Sequence, residues 1–375
     1  MGVLMFAAAS SSAAAADLES TIAFSTNRDN LEQTLPLNAP PALRFEAYLM
    51  NADGTNLRRL TYNNFWDGFA NISPNGKRIV FDSNQNHPAP GTLVDASGQP
   101  CPFAPGGMGM IDPAYVIADL FLTDWKGKGS ILLAPRADSA TWSPDSKRIA
   151  FHASASGAGC PSRSLPGSAA VDSDIFVAKV NDLVKGVKQP TNVTNTPDKI
   201  DDDPDWSSSG RIVYTAHDVG DDVGAISNTS ELYVTNADGG GRVALTHNDY
   251  EERAPAWSPD GKTIVYLCRI GGGINDSEIC VIDAHPSADG SSPQPIVLTN
   301  NTVADLTPSY SPDGEQIVFH RPVPPFGAQL FTMAPRLNPD GTLPTPTPLT
   351  FGENGEGMNM IASWGELKVT THGQS

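Results

Sequence analysis

One combination of turn-forming and apolar residues recurs along the chain. Ser-Pro-Asp-Gly, or a close variant of it, separates two short apolar segments. Pro fixes φ, Asp can bond its own backbone and Gly tolerates a positive φ, so each copy predicts a tight turn between antiparallel strands. The five turns begin at Ser73, Ser143, Ser207, Ser258 and Ser311.

The segment after each turn, together with an equivalent segment near the N-terminus, carries the most regular signal. One position is always Ile: Ile22, Ile79, Ile149, Ile212, Ile264 and Ile317. An aromatic residue follows two positions later: Phe24, Phe81, Phe151, Tyr214, Tyr266 and Phe319. The residue between them is Ala or Val, so both faces of the segment are apolar. This pattern is typical of a strand buried between neighbouring sheets.

Two further strands are predicted after each hairpin, one with an acidic or amide residue before its apolar positions and one ending in Leu-Thr. Residues 22–24 form a second strand that no first strand precedes, and residues 361–365 form a first strand that nothing follows. Four antiparallel strands repeated radially make a propeller blade. The sequence therefore predicts an all-β, six-bladed β-propeller that is closed when the C-terminal strand joins the N-terminal blade.

The N-terminal segment predicts export. Residues 1–16 combine an apolar stretch with an Ala/Ser run, as in a secretory signal and its cleavage site. The propeller is expected over residues 17–367, followed by a tail at 368–375. No other stretch approaches the about 20 apolar residues that span a bilayer. We expect a periplasmic or secreted protein without a transmembrane segment.

The four cysteines agree with this location, because an even count in an exported chain favours disulfides and no spacing fits a zinc site. Cys101 and Cys160 lie in long connections of neighbouring blades, and we predict that they pair. Cys268 and Cys280 lie on facing strands, and we predict a cross-strand disulfide between them.

Charge limits the partners. The 375 residues include 42 acidic and 24 basic side chains, for a net charge of −18. A protein that neutralises phosphates needs the opposite sign, so nucleic acid is excluded as a partner. We expect a monomer that binds an envelope or extracellular protein, peptide or glycan.

The Trp-Ser-Pro-Asp-Gly turn, the Ile-x-aromatic strand and the Asn-Ala-Asp-Gly turn before Leu-Thr resemble the repeats of TolB-type propellers over residues 20–367. In that family, periplasmic TolB is an envelope scaffold that binds the peptidoglycan-associated lipoprotein. TolB also has an N-terminal α/β domain, which we expect to be lacking because the first strand begins near Thr21. Among enzymes with related propellers, prolyl oligopeptidase-type peptidases need a Gly-x-Ser-x-Gly elbow, which this sequence lacks. Oligogalacturonate lyase-type propellers place histidines and a divalent metal at the channel.

Carboxylates precede the first strand of most blades, at the end of the ring called the top face. Equivalent positions would encircle the channel mouth, where a Ca²⁺ ion, another divalent cation or a cationic ligand would offset their repulsion. In the alternative interpretation they cap their own turns or pair with arginines such as Arg28 and Arg269. The candidates are Asp67, Asp138, Asp202, Glu252 and Asp305.

His152 and His320 occupy equivalent positions directly after the Ile-x-aromatic segment. Histidine suits acid–base chemistry or metal binding. These two belong to blades on opposite sides of the ring, so hydrogen-bonded interblade histidines are the alternative. Long connections near residues 83–116 and 153–172 predict a one-sided cap over the same face.

The leading hypothesis is a non-catalytic, exported TolB-like propeller that binds a protein, peptide or glycan at its top face. The alternative is a metal-assisted polysaccharide lyase or glycan hydrolase with its site at the channel mouth. The sequence favours the binding function and assigns no catalytic residue.

Overall fold

A computed structural model describes residues 18–28, 45–63, 65–86, 118–154, 173–218, 230–271, 277–285, 291–323, 327–350 and 358–368. The predicted signal segment, the tail beyond Lys368, most of the two long connections and the predicted Cys101–Cys160 pair lie outside these residues.

The first half of the described chain contains eleven strands and one short helix. The elements are β1 (Leu18–Thr26), β2 (Glu46–Asn51), β3 (Arg58–Arg59), β4 (Asp67–Ile72), β5 (Arg78–Ser83), β6 (Asp119–Asp124), β7 (Ile131–Ala134), β8 (Ala137–Trp142), β9 (Arg148–Ser154), β10 (Ser173–Lys179), α1 (Val180–Lys185) and β11 (Thr191–Asn192).

In the second half, the only regular elements among the described residues are strands. They are β12 (Lys199–Trp206), β13 (Arg211–Asp218), β14 (Glu231–Asn236), β15 (Val243–Ala244), β16 (Glu252–Trp257), β17 (Thr263–Cys268), β18 (Glu278–Asp283), β19 (Ile296–Val297), β20 (Leu306–Tyr310), β21 (Ile317–Val323), β22 (Gly327–Met333), β23 (Thr347–Pro348) and β24 (Asn359–Lys368).

Successive strands pair antiparallel in groups of four. Sheet I has the order β24-β1-β2-β3, and sheets II to VI contain β4–β7, β8–β11, β12–β15, β16–β19 and β20–β23. Sheets III and IV are joined at one parallel pair, Ser173 and Ile200. The described residues are therefore all-β apart from α1, and no helix among them is long and apolar enough to cross a bilayer.

The first and last strands lie side by side. β24 runs antiparallel to β1, with Leu18 opposite Lys368, Ile22 opposite Trp364 and Thr26 opposite Asn359. The pairing predicted between residues 361–365 and residues 22–24 is present.

The core lies between the sheets. All six Ile residues of the repeated column are fully buried, and the six aromatic residues are at most 2% exposed. One apolar cluster joins sheets I and II through Ala23 and Phe81, and another joins sheets VI and I through Val318 and Ile22. Similar clusters fill the four junctions from sheet II to sheet VI. Burial on both faces explains why these strands lack polar alternation.

Sheet V departs from its neighbours at the aromatic pair. In sheet II the rings of Phe81 and Phe121 stack across the strands at 5.7 Å, whereas in sheet V Tyr266 lies opposite Cys280. Cys280 forms a disulfide with Cys268, so the predicted cross-strand pair is confirmed.

Every first strand contains a bulge at the same place. Register shifts interrupt the pairing of the first and second strands in all six sheets. A non-glycine residue with φ between 46° and 53° sits at each shift: Phe69, Ser139, Asp203, Ala254, Thr307 and Ile361. Positive φ is unfavourable for such residues, above all for Thr and Ile, and bulges commonly redirect side chains near functional sites.

Candidate binding site at the strand bulges

The two residues before each bulge define two positions of the repeat. The earlier position holds Asp67, Ala137, Asp201, Glu252, Asp305 and Asn359. The later position holds Gly68, Asp138, Asp202, Arg253, Leu306 and Met360. Because successive strand residues point to opposite faces, Asp138 and Asp202 do not share a direction with the other predicted carboxylates. The expected equivalence of all five carboxylates is wrong.

The earlier position anchors the connections between sheets. Asp67, Glu252 and Asp305 are fully buried. An Asn side chain four residues before each of them donates a hydrogen bond to its carboxylate: Asn63 at 2.6 Å, Asn248 at 2.9 Å and Asn301 at 2.9 Å. This geometry favours the interpretation in which these acids cap their own turns.

Arginines also contact the earlier position, at Asp305 and at Asn359. Arg321 donates two hydrogen bonds to Asp305, at 2.6 and 2.9 Å. Arg28 donates to Asn359 at 3.0 Å rather than to a carboxylate. Arg269, the other arginine named from the sequence, contacts Glu251.

Glu252 lies in a different electrostatic environment. It accepts hydrogen bonds from the Thr246 hydroxyl and from the Leu232 amide, and its charged neighbour is the carboxylate of Glu231. Burial, followed by repulsion from Glu231, raises the pKa of Glu252 to about 8. This side chain is therefore largely protonated at neutral pH.

The later position faces the residue that follows the Ile-x-aromatic segment on the second strand. Asp138 lies opposite His152, Asp202 opposite Thr215, and Gly68 opposite Asp82. Side chains directly opposite on one face are neighbours. We call Asp82, Asp138, Asp202 and Asp203 the acidic cluster.

Contacts between sheets connect the acidic cluster. The backbone amide of Ser139 donates to Asp82 Oδ2 at 3.0 Å, and its hydroxyl lies 3.4 Å from Asp203 Oδ1. Asp202 Oδ2 lies 3.9 Å from the guanidinium of Arg253. The bulge residue of sheet III thus links a carboxylate of sheet II to one of sheet IV.

Asp82 has the most confined position in the acidic cluster. It is fully buried. The residue opposite it is Gly68, where no larger side chain would fit because a Cβ on this residue would lie 2.4 Å from the Trp66 ring. Asp82 Oδ1 has no hydrogen-bond partner among the described residues. Burial and the nearby charge of Asp138 raise the pKa of Asp82 well above its usual value.

The two candidate histidines have opposite charge states. Burial lowers the pKa of His152, but contact with Asp138 outweighs it and raises the value to about 9. Burial lowers the pKa of His320 to about 4, and its Nδ1 lies 2.7 Å from the Thr307 hydroxyl. They lie in sheets III and VI and do not form a pair among the described contacts.

Sequence reasoning missed Glu251 and Arg253 as members of this region. Arg253 contacts Glu251, which also contacts Arg269. The Glu-Glu-Arg run ahead of Trp257 was the available signal, because residues two apart in an extended segment lie on the same face, which places Glu251 beside Arg253.

In the described ranges, no group of three or more His, Cys, Asp or Glu side chains is placed to bind a metal ion. The Ca²⁺ or other divalent cation at the channel mouth stays a prediction.

Comparisons with known proteins bear on the fold. No family model matches the sequence. TolB from Acinetobacter baumannii superposes with a TM-score of 0.60 at 16% identity, over 92% of this chain and 66% of TolB. A TolB-type protein of Agrobacterium tumefaciens gives 0.52 at 16% identity, over 94% of this chain and all of that one. The fold is TolB-like.

A curated relative of this TolB-like chain is the uncharacterized peptidase YuxL of Bacillus subtilis, 27% identical over 144 residues. The match covers 31% of this chain and 21% of YuxL. The TolB-like chain thus matches about a fifth of that relative's length.

Proposed function

We propose that the chain is a six-bladed TolB-like propeller, closed by β24, and that it acts as an exported, non-catalytic binding module. Its partner, a protein, peptide or glycan of the envelope or extracellular space, contacts the end at which the first strands begin. The order of neighbours supports the closed arrangement: β4 lies beside β8, β8 beside β12, β12 beside β16, β16 beside β20, β20 beside β24, and β24 beside β4.

One observation carries the functional proposal, namely the concentration of buried charge at the bulges. Asp82, Asp202 and His152 are each at most 6% exposed. Burying charges is costly, and backbone strain at equivalent positions adds to that cost. A fold keeps such an arrangement most readily where it recognises a ligand.

The histidines support binding over catalysis. A general base must be unprotonated with a pKa near the working pH. Asp138 keeps His152 protonated at neutral pH, and His320 with a pKa of about 4 is a weak base. Neither imidazole suits proton abstraction from a sugar or a hydroxyl nucleophile.

Export is supported by the disulfide between Cys268 and Cys280, since such bonds persist in oxidising compartments. The net charge of −18 supports a neutral or basic partner.

A metal-assisted lyase or glycan hydrolase is the second candidate, favoured by the carboxylates and histidines near one end of the sheets. The partial similarity to YuxL, whose name describes a peptidase, adds peptide hydrolysis to the activities to be assayed.

Affinity capture tests the proposal. Three immobilised proteins are exposed to an envelope extract: the wild type, the variant Asp138→Asn and the variant Asp260→Asn. Asp138→Asn disrupts the site, whereas Asp260→Asn removes one charge from an exposed turn. We expect one partner whose recovery falls about tenfold with Asp138→Asn and is unchanged with Asp260→Asn. Equal capture by all three proteins, or turnover of a polysaccharide or peptide that depends on added metal, would refute the binding function.

A further inference from the structure

The acidic cluster contains more carboxylates than nearby cations can neutralise. Asp82, Asp138, Asp202 and Asp203 lie close to one another, and Glu251 joins them through Arg253. Among the described residues, the cations that contact these acids are His152, Arg253 and Arg269. Burial favours the protonated form of Asp82, so the other four acids stand against three cations, and the excess of negative charge attracts positive charge.

A second observation shows that hydrogen-bonding capacity is also unused. Thr215 lies opposite Asp202, is fully buried, and its hydroxyl has no partner among the described residues. Asp82 Oδ1 is likewise buried without a partner in the described ranges. Buried polar atoms are normally satisfied by protein, water or ligand, so the cluster lacks a donor group.

We infer that the acidic cluster binds a basic side chain, a lysine ammonium or an arginine guanidinium, presented by a polypeptide partner. This inference rests on the proposed binding function and specifies its ligand.

Ligand chemistry favours an N–H donor over a metal ion. Ca²⁺ needs six to eight oxygen ligands, and no group of three acidic, His or Cys side chains in the described ranges is placed to hold an ion. An ammonium or guanidinium group instead needs a few acceptors in hydrogen-bond reach. Asp82 Oδ1 accepts such a bond, and the positive charge of the donor makes the bond stronger than a neutral one.

A polypeptide is the expected source of the basic group. Long-range attraction by a protein of net charge −18 favours a cationic partner.

Calorimetric titration tests the inference with a capped peptide of alternating Gly and Lys, an otherwise identical peptide with norleucine in place of Lys, and Ca²⁺ alone. We expect the Lys peptide to bind and the norleucine peptide not to bind. Asp82→Asn should weaken binding of the Lys peptide about tenfold, and Thr215→Val a few-fold, because each removes one acceptor. The matched control Asp260→Asn should change the Kd less than about twofold.

Thermal melting of each variant establishes that it is folded, and Thr215→Val keeps the test decisive if Asp82→Asn does not fold. Equal affinity of wild type and both site variants for the Lys peptide overturns the inference, as does tight Ca²⁺ binding that Asp82→Asn abolishes. If neither Asp82→Asn nor Thr215→Val changes the affinity for the Lys peptide, while partner capture still requires Asp138, the inference fails and the proposed function stands. If capture is also unaffected, both fail.

Discussion

At the residue scale, neighbours decide what a repeated position does. His152 and His320 follow the same Ile-x-aromatic segment, but one contacts Asp138 and the other a neutral threonine, Thr307. Both are buried, so desolvation disfavours the charged form of each. Only His152 has an anion beside it that reverses this effect.

The charge states can be read by NMR. We expect the ring of His152 to remain protonated through pH 7.5 and to titrate near pH 9, and His320 to remain neutral down to about pH 4. Asp138→Asn should lower the pKa of His152, because only the weaker attraction of Asp202 and Asp203 then opposes the effect of burial. An unchanged titration of His152 in that variant would contradict the ion pair.

Glu252 provides a stability prediction with a definite sign. Its pKa is about 8 in the folded protein and 4.5 when unperturbed, so its contribution to stability is full below about pH 4.5 and is lost as pH rises toward 8. Glu252→Gln keeps a neutral side chain throughout. We expect the variant to match wild type at pH 4.5 and to exceed it by about 4–5 kcal/mol at pH 8.5 in urea unfolding, because each unit by which the pKa is raised is worth about 1.4 kcal/mol.

Asp305→Asn is the matched comparison for that experiment. It leaves Arg321 without its bidentate partner, so we expect a loss of about 2–4 kcal/mol at both pH values. A stability difference for Glu252→Gln that does not change with pH would show that Glu252 is ionised in the fold.

At the element scale, the hairpins were predictable and the bulges were not. Turn chemistry and the Ile-x-aromatic column identify the second strands because both signals are local. The bulge residues include Phe69, Thr307 and Ile361, whose side chains disfavour positive φ. Packing imposes this backbone: Ile361, for example, is buried in one cluster with Trp66 and Met360. Because the sequence does not reveal the bulges, its pattern alone could not separate Asp138 and Asp202 from the acids that cap turns.

The disulfide between β17 and β18 is a prediction at the same scale. Cys268 and Cys280 are 12 residues apart, and closing a loop of this length is worth about 3 kcal/mol. The double variant with serine at both positions should lose about that amount in non-reducing denaturant unfolding. Peptide mapping should recover the Cys268–Cys280 link, and recovery of either cysteine joined to Cys101 or Cys160 would contradict it.

At the scale of the whole molecule, the pairing of β1 with β24 completes sheet I and covers the edge of β1. Ser363 also donates a hydrogen bond to the Ala70 carbonyl, so β24 contacts sheet II as well as its own sheet. An uncovered strand edge invites association with other chains. The stability of sheets I and II therefore depends on the last described strand.

Truncation measures this dependence. A chain ending at Met358 lacks β24 and should lose cooperative thermal unfolding and elute as aggregates in size-exclusion chromatography. The control is a chain ending at Lys368, which retains the strand and should melt like the full chain. If removal of β24 leaves the melting temperature unchanged, sheet I does not need its fourth strand.

The pairing of Leu18 with Lys368 occurs at the end of sheet I away from the bulges, beside the turn at Gly76, whose carbonyl accepts the Lys368 amide at 3.0 Å. A short linker between these two residues would make the backbone continuous. New termini could then be opened at the exposed turn near Gly240 to give a circular permutant. For the same reason, a fluorophore or surface tether attached beyond Lys368 would sit on the side remote from the acidic cluster and leave that face open to ligands.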